Sequence, residues 1–554
     1  MKVLLQHQSF TYMKQHVINY IKELSSFLFL SSATILLYNH YSYLWLDTPI
    51  QRTQSFYTIE LPVALVISLL FYFSNIQKRW IKYIVPLAPM IALLISFDLF
   101  YSFLSRSPRY SDLMNFGNVH DFYPLLFFAF LFFVGIICVL VLKLISTAYR
   151  NYTQGAFVVT VVSRLSVIII LLYTIQTPQF QKLHASVFDY VVWSDQRTLK
   201  HNGRFSNFIF FSNLERQNYQ KIFYSNKNPI HIAQTLYPDS LKTKPNIYMI
   251  ILESFVDPRF FIDMEIKPNP LAKELSPYLK NNHFSKIISP VYGGYTAQAE
   301  FELLAGIKAY GKVNTIDFNT MRGGAIQSFL NQLKNNDYRT VAMVAAQPFY
   351  FNSRVAYRSL GFDSVNYLLK DPNFIKNPND EHIFDGDILN YNLEMVKKHL
   401  QSSTKPLFNY VIGMYGHLPY SRNLDKRPDV VTIKNSQDEN FHKIANQFYY
   451  RTKALAHYLD QLQKLDPNGI IFVAGDHLPP ILTQEIRYQY DKYINSAILL
   501  QGDRKIVINE KRYYQIPWMI WDLLRKKSSP RELSDEQMNQ LYFEALKQSM
   551  EIDS

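Results

Sequence analysis

The chain has 554 residues, of which 57 are Lys or Arg and 44 are Asp or Glu, and its formal net charge is +13. This length accommodates two or three domains, and the positive surplus favours anionic partners. The sequence has no zinc-finger spacing, Walker loop or long basic block, so we expect lipid headgroups or phosphate esters as partners and no nucleic acid. The single cysteine, Cys138, excludes a disulfide within the chain.

The first third of the chain, residues 1–177, is predicted to be a helical membrane domain. Aromatic residues make up 16% of the chain, which is typical of the aromatic belts at membrane interfaces. Five apolar stretches approach the ~20 residues that cross the hydrocarbon core of a bilayer. They cover Leu24–Leu44, Ile59–Ile76, Trp80–Leu104, Tyr123–Ile145 and Ala156–Ile175.

Asp98 lies inside the third of these stretches. One interpretation is a polar contact with a lipid headgroup, because ionisable residues within a membrane span are often functional. The other is an interhelical or interfacial hydrogen bond, which we favour because Asp98 is only a few positions from the end of the stretch.

The basic residues of the short loops predict the orientation in the membrane. The N-terminal tail, the second-to-third loop and the fourth-to-fifth connection carry eight or nine Lys and Arg residues, against Arg52, Arg106 and Arg109 on the opposite side. We therefore expect a multi-pass protein of the cytoplasmic (inner) membrane with a cytoplasmic N-terminus. With five spans, everything after about residue 178 is extracytoplasmic.

The remainder of the chain divides into a linker and an α/β domain. Residues 178–243 lack a sustained apolar run and are predicted to form helices along the membrane surface. In residues 244–554, short apolar runs alternate with helical stretches, which predicts a mostly parallel sheet. The runs are "NIYMIILES", "RTVAMVAA", "LFNYVIGM", "GIIFVAGD" and "NSAILLQG".

Side chains that can bind a metal or act in catalysis follow these runs. They stand at the carboxyl ends of the predicted strands, which is where parallel sheets bind their ligands. Glu253 closes the first run, His417 follows "LFNYVIGM", and Asp476 and His477 close "GIIFVAGD". Thr296 begins a predicted helix, and helix N-termini bind anions. Oxygen and imidazole ligands of this kind suit Mn²⁺, Mg²⁺ or Zn²⁺, and the ligand types alone do not distinguish these metals.

Plainer interpretations exist for several of these positions. Thr296 in "YGGYTAQAEF" has the residue type of a helix N-cap. Gly416 and Pro419 can mark a simple turn around His417. Glu300 and Glu302 either orient the ligands or, as is more usual, belong to a solvated helix face.

Five segments of the second half resemble the lipoteichoic acid synthase group of the alkaline phosphatase and sulfatase superfamily. They are "NIYMIILESF", "GGYTAQAEFELL", "IFDGDIL", "MYGHLPY" and "VAGDHLPP", and "NGRFSNFIFF" in the linker also fits. The resemblance covers nearly the whole chain and implies five spans followed by an extracytoplasmic sulfatase-like domain. It implies one divalent metal, Mn²⁺ first and Mg²⁺ or Zn²⁺ as alternatives, held by Glu253, Thr296, Asp476 and His477. It also implies that His417 holds the glycerol-phosphate.

The substrate-contacting run of this family is "Phe-Trp-Asn-Arg", whereas this chain has "YFNSR" at residues 350–354. Phe351 takes the place of the aromatic residue, and Arg354 stands one place later. Sulfatases need a Cys or Ser followed by Pro and Arg. Here Thr296 is followed by "AQAE", so we do not expect hydrolysis of sulfate esters.

The function that this resemblance implies is phosphoglycerol transfer. Glycerol-phosphate moves from phosphatidylglycerol, through a covalent phospho-threonine at Thr296, to a hydroxyl acceptor such as a cell-envelope polymer or glycan. Metal coordination is one recognised way to activate a threonine hydroxyl. One alternative is a phosphoethanolamine transferase, although those enzymes usually carry disulfides that this chain cannot form. Another is a catalytically inactive, envelope-binding membrane protein.

Overall fold

A computed structural model gives the fold. It describes residues 2–46, 56–104, 107–110, 112, 124–187, 195–224, 231–238, 240–310, 318, 321, 323–348, 350–377, 379–483, 485–528 and 530–550. The chain divides into two compact units, residues 1–217 and 218–554. The boundary falls within the predicted linker, and each unit is described by itself.

The regular secondary structure of the described part of the first unit is helical, and turns or coil connect the helices. A π-helical turn, Phe56–Glu60, leads into α2, and a 3₁₀ turn, Val85–Leu87, precedes α4. The helices are α1 (Lys2–Leu46), α2 (Leu61–Leu70), α3 (Arg79–Tyr83), α4 (Ala88–Leu104), α5 (Pro124–Asn151), α6 (Gln154–Gln176), α7 (Pro178–Val187) and α8 (Asp195–Tyr224).

Among the described residues, four helical segments are long and apolar enough to cross a membrane. They are Val17–Ser42, Arg79–Tyr101, Phe130–Asn151 and Gln154–Gln176. These segments confirm long apolar helices at four of the five predicted spans. Tyr123, the first residue of the predicted fourth span, lies outside the described residues, as do Arg52 and Arg106.

The second predicted span, Ile59–Ile76, is shorter than expected. Its apolar helix covers Phe56–Leu70, which is roughly 22 Å long at ~1.5 Å per residue. At the end of this helix, the Arg164 guanidinium donates to the main-chain oxygens of Leu70 at 3.0 Å and Tyr72 at 2.5 Å. These bonds satisfy carbonyl groups that have no partner within the helix when it ends at Leu70.

A buried ion-pair cluster, which we call the Arg204 cluster, lies inside the first unit. Arg204 of α8 donates from Nε to Asp98 Oδ1 at 2.6 Å and from Nη2 to Asp98 Oδ2 at 2.7 Å. Its main-chain N–H donates to Glu60 Oε2 at 2.9 Å, and its Nη1 also pairs with Glu60. Tyr38 and Ser42 of α1 donate to Asp98 as well, at 2.8 and 2.5 Å. The favoured interhelical role of Asp98 is thereby confirmed.

Gly203 makes this arrangement possible. Its φ of 79° kinks α8, and a Cβ atom there would lie 2.4 Å from Glu60 Oε2. Only glycine adopts this conformation readily and leaves room for the carboxylate.

The second unit is built on a sheet. Its strands are β1 (Ile247–Leu252), β2 (Phe261–Ile262), β3 (Ile266–Lys267), β4 (Ser285–Ile288), β5 (Arg339–Val344), β6 (Ser364–Tyr367), β7 (Leu407–Gly413), β8 (Thr432–Ile433), β9 (Ile470–Gly475), β10 (Arg487–Tyr488), β11 (Ile494–Gln501), β12 (Arg504–Lys505) and β13 (Asn509–Arg512). Nine of these strands form the main sheet in the order β13-β4-β11-β9-β1-β7-β5-β6, with β12 paired to β11. Two further pairs, β10 with β2 and β3 with β8, lie apart from it.

All five predicted runs are strands, and the predicted α/β class with a mostly parallel sheet is confirmed. Strands β9, β1, β7, β5 and β6 run parallel to one another. Strand β11, from the run "NSAILLQG", is antiparallel to β9. A short apolar run predicts burial, but it does not give the direction of a strand.

Helices cover both faces of the sheet, and alternate residues of β1 contribute to the two resulting cores. The helices of this unit are α9 (Ile232–Leu236), α10 (Thr296–Ala305), α11 (Phe329–Lys334), α12 (Ser353–Leu360), α13 (Asp385–Ser402), α14 (Glu439–Leu465), α15 (Gln515–Arg525) and α16 (Asp535–Met550). One face of the sheet packs against α10, α11, α12, α15 and α16, and the other face packs against α13 and α14.

Candidate active site

The register of the central strands brings the predicted site residues to one edge of the sheet. Leu252 at the end of β1 pairs with Gly475 at the end of β9 and with Gly413 at the end of β7. Glu253 follows Leu252, and Asp476 follows Gly475. The two carboxylates therefore leave the sheet side by side, as expected for the carboxyl ends of parallel strands.

Thr296 is the first residue of α10, and it does not cap the helix. The N-cap position is held by Tyr295 in the left-handed conformation (φ 64°), with no side-chain capping bond. The Thr296 hydroxyl instead donates to Asp476 Oδ2 at 2.7 Å and lies 3.2 Å from Glu253 Oε2. The N-cap interpretation of Thr296 is therefore wrong, because its hydroxyl is directed toward the sheet edge.

These residues form a compact donor set, which we call the carboxylate cluster: Glu253, Thr296, Asp476 and His477. His477 Nε2 lies 3.3 Å from Asp476 Oδ2, 3.5 Å from Glu253 Oε1 and 3.5 Å from Thr296 Oγ1. One ligand atom from each of Glu253, Asp476 and His477 lies within 4.8 Å of the others. All four side chains are buried, with residue exposures of 7% or less.

Local hydrogen bonds fix the orientation of the donor atoms. Asp476 Oδ1 accepts from the main-chain N–H groups of Ser254 at 2.7 Å and His477 at 2.8 Å, which directs Oδ2 to Thr296. His477 Nδ1 lies 3.0 Å from the Leu478 carbonyl oxygen. A proton on Nδ1 satisfies that carbonyl and leaves the lone pair of Nε2 directed into the cluster, which is the usual orientation of a metal-binding histidine.

The protonation behaviour of the cluster reflects two carboxylates in one buried space. Burial and the neighbouring Glu253 carboxylate raise the pKa of Asp476 to about 6, against the opposing effect of the His477 imidazole. Burial also acts on Glu253, but the His477 and His417 imidazoles outweigh it and lower the pKa of Glu253. Burial works against the charged form of His477, yet Asp476 and Glu253 raise the pKa of the imidazole.

A divalent cation fits this donor set. Two carboxylates, an imidazole lone pair and a hydroxyl converge without a lysine or arginine side chain among the described residues of the cluster. Buried carboxylates of like charge are costly unless a cation offsets them. Oxygen and nitrogen donors of this type are those that Mn²⁺, Mg²⁺ and Zn²⁺ accept.

His417 and a histidine that sequence analysis did not single out, His382, lie together beside the cluster. Their ring centroids are 5.3 Å apart, and both rings bond to the Leu418 carbonyl oxygen, His417 through Nδ1 at 2.7 Å and His382 through Nε2 at 3.1 Å. Burial and His417 lower the pKa of His382. His382 directly precedes the segment "IFDGDIL", so only its position beside that segment could have indicated it.

The two other predicted substrate-binding residues lie in different environments. Phe351, which has a φ of 51°, lines a cavity together with Thr296. Arg354 lies in the first turn of α12, and its side chain is exposed. The structure thus brings Phe351 to the nucleophile candidate and leaves Arg354 at the surface.

A buried ion pair supports the loop that carries Glu253. Arg451 of α14 donates from Nη2 to the Glu253 main-chain oxygen at 2.8 Å and from Nε to Asp385 Oδ2 at 2.5 Å. Gly416 packs against the same carbonyl, and a Cβ atom there would lie 2.0 Å from the Glu253 oxygen. Sequence analysis missed Arg451, because it lies in the middle of a long helix and has no local motif.

Glu300 and Glu302 do not form a solvated face, so that interpretation is wrong. Every residue of α10 is buried. Glu302 accepts main-chain N–H bonds from Ala309 at 2.9 Å and Tyr514 at 3.3 Å. Glu300 accepts from the hydroxyls of Tyr357 and Tyr410, and burial raises its pKa to about 7.

Comparison with known proteins identifies the family. Residues 245–544 match the model of the sulfatase family, which is more than half of the chain. The chain therefore belongs to the sulfatase family, and the resemblance to the alkaline phosphatase and sulfatase superfamily is confirmed.

The curated relatives are distant and are matched only in part. A candidate cyclic beta-1,2-glucan modification protein of Rhizobium meliloti is 23% identical over 297 residues, which cover 52% of this chain and 43% of that protein. An uncharacterized protein of Haemophilus influenzae is 26% identical over 200 residues, covering 33% of this chain and 34% of that protein. The chain thus matches less than half the length of either relative.

Solved structures with partial similarity include a lipoteichoic acid synthase and a phosphoglycerol transferase. The lipoteichoic acid synthase LtaP of Listeria monocytogenes is 16% identical, with a TM-score of 0.45, over 58% of this chain and 81% of that one. The phosphoglycerol transferase GacH of Streptococcus pyogenes, in complex with sn-glycerol-1-phosphate, is 18% identical, with a TM-score of 0.44, over 60% of this chain and 90% of that one.

Proposed function

We propose that the chain is a membrane-bound, metal-dependent transferase that moves glycerol-phosphate from phosphatidylglycerol to a hydroxyl acceptor. One observation carries the proposal. Thr296 is the first residue of α10, and its buried hydroxyl donates a hydrogen bond to Asp476 Oδ2 at 2.7 Å within the carboxylate cluster. Membership of the sulfatase family supports phosphoryl or sulfuryl chemistry. The absence of Cys or Ser at position 296 argues against the sulfatase reaction.

Thr296 is the proposed nucleophile. Its Oγ1 attacks phosphorus, the bond from phosphorus to the diacylglycerol oxygen breaks, and diacylglycerol leaves with the proton that Thr296 gives up. Asp476 Oδ2, which already accepts the Thr296 hydrogen bond, is placed to take up this proton first, and His417 to deliver a proton to the leaving oxygen. The acceptor hydroxyl then attacks the phosphoryl-threonine ester, and Thr296 regains its proton as the new ester forms.

Other groups of the site assist these two steps. Glu253, Thr296, Asp476 and His477 would hold a divalent cation, which would supply Lewis acidity to lower the pKa of a hydroxyl and offset phosphoryl charge. The N-terminus of α10 presents main-chain N–H groups and the positive end of its dipole to an anion. His417 holds the phosphate or carries the proton of the leaving and entering hydroxyls.

The membrane unit has a role in this proposal. A catalytic unit tethered to the bilayer works where its lipid donor is concentrated, and a net charge of +13 favours an anionic donor. We place the N-terminus in the cytoplasm and the second unit on the outer side of the inner membrane. The reason is that Lys and Arg are in excess in the N-terminal tail and the loops on its side, and such basic loops usually lie in the cytoplasm. This orientation requires Phe56–Leu70 to cross the bilayer together with the four longer segments.

The acceptor is proposed to be a cell-envelope polymer or glycan. The Rhizobium meliloti relative carries a glucan-modification description, which supports a glycan as the first acceptor to test. The match covers under half of that protein, so the support is for the acceptor class only.

The test measures diacylglycerol release by the full chain in phospholipid vesicles with Mn²⁺. We expect release from labelled phosphatidylglycerol, and we expect Thr296→Val to lower it by on the order of 10³-fold or more, as for loss of other nucleophiles. The control is Thr340→Val, which removes an equally buried threonine hydroxyl that bonds to the Gly361 carbonyl outside the site.

Three outcomes would contradict the proposal in different ways. Undiminished release by Thr296→Val would exclude the nucleophile. Release from phosphatidylethanolamine instead of phosphatidylglycerol would favour a phosphoethanolamine transferase. No release from either lipid, and no bound metal, would favour an inactive binding protein.

A further inference from the structure

The tripeptide "HLP" occurs twice after strands of the main sheet, at residues 417–419 and 477–479. In both copies the histidine bonds through Nδ1 to the carbonyl oxygen of the leucine that follows it, His417 at 2.7 Å and His477 at 3.0 Å. A carbonyl oxygen only accepts hydrogen bonds, so Nδ1 carries a proton in each ring. The leucine carbonyl therefore fixes the orientation of both imidazoles in the same way.

The second donor to this leucine carbonyl differs between the two copies. The Leu478 oxygen accepts the main-chain N–H of Gly293 at 3.0 Å. The Leu418 oxygen instead lies 3.1 Å from Nε2 of the His382 side chain. The N–H of a side chain thus takes the place at Leu418 that a main-chain N–H has at Leu478. His382 thereby holds the acceptor to which His417 is bonded.

The rings of His382 and His417 also contact each other edge to face. Their centroids are 5.3 Å apart, and their planes make an angle of 73°. Burial and the His417 imidazole lower the pKa of His382, so the His382 ring is uncharged at neutral pH. An uncharged ring can support His417 without repelling a proton that His417 carries.

Contacts on both sides of His382 join its segment to the loop that follows β7. Asp380 Oδ1 accepts the main-chain N–H of Asn423 at 3.0 Å, and Asp380 also pairs with Arg427. The Arg427 guanidinium lies over the Phe384 ring, 4.1 Å from its centroid. Because these contacts lie two residues before and two residues after His382, the two segments stay joined without the imidazole.

The position of His417 relative to the carboxylate cluster is set by its neighbour. Gly416, directly before His417, packs against the Glu253 main-chain oxygen, where a Cβ atom would lie 2.0 Å away. A proton donor works only within hydrogen-bond reach of its target, so the orientation of the His417 ring decides whether it can act.

We infer that His382 is a positioning residue: its Nε2–H and its ring fix the Leu418 carbonyl, and thereby the orientation in which His417 delivers a proton to the leaving oxygen. This inference rests on the proposed function, in which His417 supplies that proton. It adds a residue that acts through His417 and does not contact the reacting atoms.

The test compares two donors that share the glycerophosphoryl group and differ in the leaving group, phosphatidylglycerol and the diester glycerol 4-nitrophenyl phosphate. The diacylglycerol oxygen needs a proton to leave, whereas 4-nitrophenolate leaves without one. The full chain in vesicles with Mn²⁺ is mixed with each donor, and release of diacylglycerol or 4-nitrophenol is followed over the first turnover. Loss of a residue that positions the proton donor should slow the first reaction and spare the second.

Two substitutions of His382 separate its N–H from its ring. His382→Phe keeps an aromatic ring and removes the N–H, and we expect it to lower the rate of diacylglycerol release by on the order of 10-fold and the rate with the nitrophenyl diester by less than about twofold. His382→Gln keeps an N–H on a side chain of similar length, and we expect diacylglycerol release within about threefold of the wild-type rate. Retained turnover of the nitrophenyl diester shows that each variant is folded.

His399→Phe is the matched control. His399 Nε2 also lies 3.1 Å from a main-chain carbonyl oxygen, that of Lys405, which precedes β7 at the opposite edge of the sheet. We expect this variant to leave both rates unchanged. His417→Gln gives the upper limit of the effect and should lower diacylglycerol release by about 10²-fold or more, with a smaller loss for the nitrophenyl diester.

Full diacylglycerol release by His382→Phe, or equal losses with both donors, would overturn the inference and leave the proposed function standing. Failure of the wild-type chain to release diacylglycerol from any lipid would overturn the proposed function and the inference with it.

Discussion

Each of the two units buries a group of charged side chains, and the two groups differ in how their charge is offset. In the Arg204 cluster, the guanidinium lies between Glu60 and Asp98 and is 1% exposed, as are both carboxylates. In the carboxylate cluster, Glu253 and Asp476 meet Thr296 and His477 without a guanidinium or ammonium group among the described residues. The Arg204 cluster contains a permanent cation, whereas the carboxylate cluster contains the His477 imidazole, which is a cation only when it is protonated.

This difference separates a structural site from a ligand site. Arg451, the arginine that contacts the Glu253 segment, donates to the main-chain oxygen and pairs its charge with Asp385. It therefore positions the loop without neutralising the Glu253 carboxylate. In the metal-free protein, the charge of the two buried carboxylates is offset only by protonation of Asp476 or of His477. A bound divalent cation would replace these protons, and this exchange favours binding of a metal.

The largest expected effect comes from removing one charge of the carboxylate cluster. Asp476→Asn should lower diacylglycerol release by on the order of 10³-fold or more, because it removes both a metal ligand and the acceptor of the Thr296 hydrogen bond. In the presence of a chelator, the same variant should unfold at a higher temperature than the wild-type chain.

The pH dependence of this gain in stability follows from the raised pKa of Asp476. The pKa is about 6 in the folded chain, above the ordinary ~3.9 of an unfolded aspartate. Between these two pKa values the unfolded aspartate has released its proton while Asp476 in the folded chain still holds it, so the wild-type chain loses stability as the pH rises from about 4 to about 6. The advantage of Asp476→Asn in chelator should grow between about pH 4 and pH 6. If Asp476→Asn melted at a lower temperature than the wild-type chain at pH 8 in chelator, this result would contradict the comparison of the two clusters.

The next effect concerns the Arg204 cluster, where removal of the cation should have the opposite consequence. Arg204→Met leaves Glu60 and Asp98 buried together, and we expect it to lower the free energy of unfolding of the full chain by about 3–5 kcal/mol. Arg487→Met serves as the control, because Arg487 and Asp263 form an exposed ion pair with side-chain exposures of 58% and 65%. Exposed pairs contribute about 0–1 kcal/mol. Equal effects of the two substitutions in denaturant titrations would show that the Arg204 cluster is not a structural element.

Much of the second unit could be predicted from the sequence, because each short apolar run indicates a buried strand by itself and the polar residue after it marks the end of that strand. The runs gave β1, β5, β7, β9 and β11, and the residues that follow β1 and β9 do converge. The direction of β11 was not predictable, since strand pairing depends on partners far along the chain.

Other features were missed for the same reason. Asp98 and Arg204 form their pair across 106 residues, so the span alone indicated only that Asp98 needs a partner. A solvated face is the more usual interpretation of Glu300 and Glu302 because surface helices expose one side, whereas α10 is buried all round. The residue type of Thr296 fits an N-cap, but the N-cap position of α10 is occupied by Tyr295.

The most direct test of the central claim is to detect the covalent intermediate on Thr296. The wild-type chain, incubated with phosphatidylglycerol and Mn²⁺ without an acceptor, is quenched in acid, digested and analysed by mass spectrometry. The account predicts that the peptide containing Thr296 gains the mass of a glycerophosphoryl group, that fragmentation places the group on Thr296, and that Thr296→Val lacks it. Diacylglycerol release with the group absent from Thr296, or present on another residue, would contradict the account.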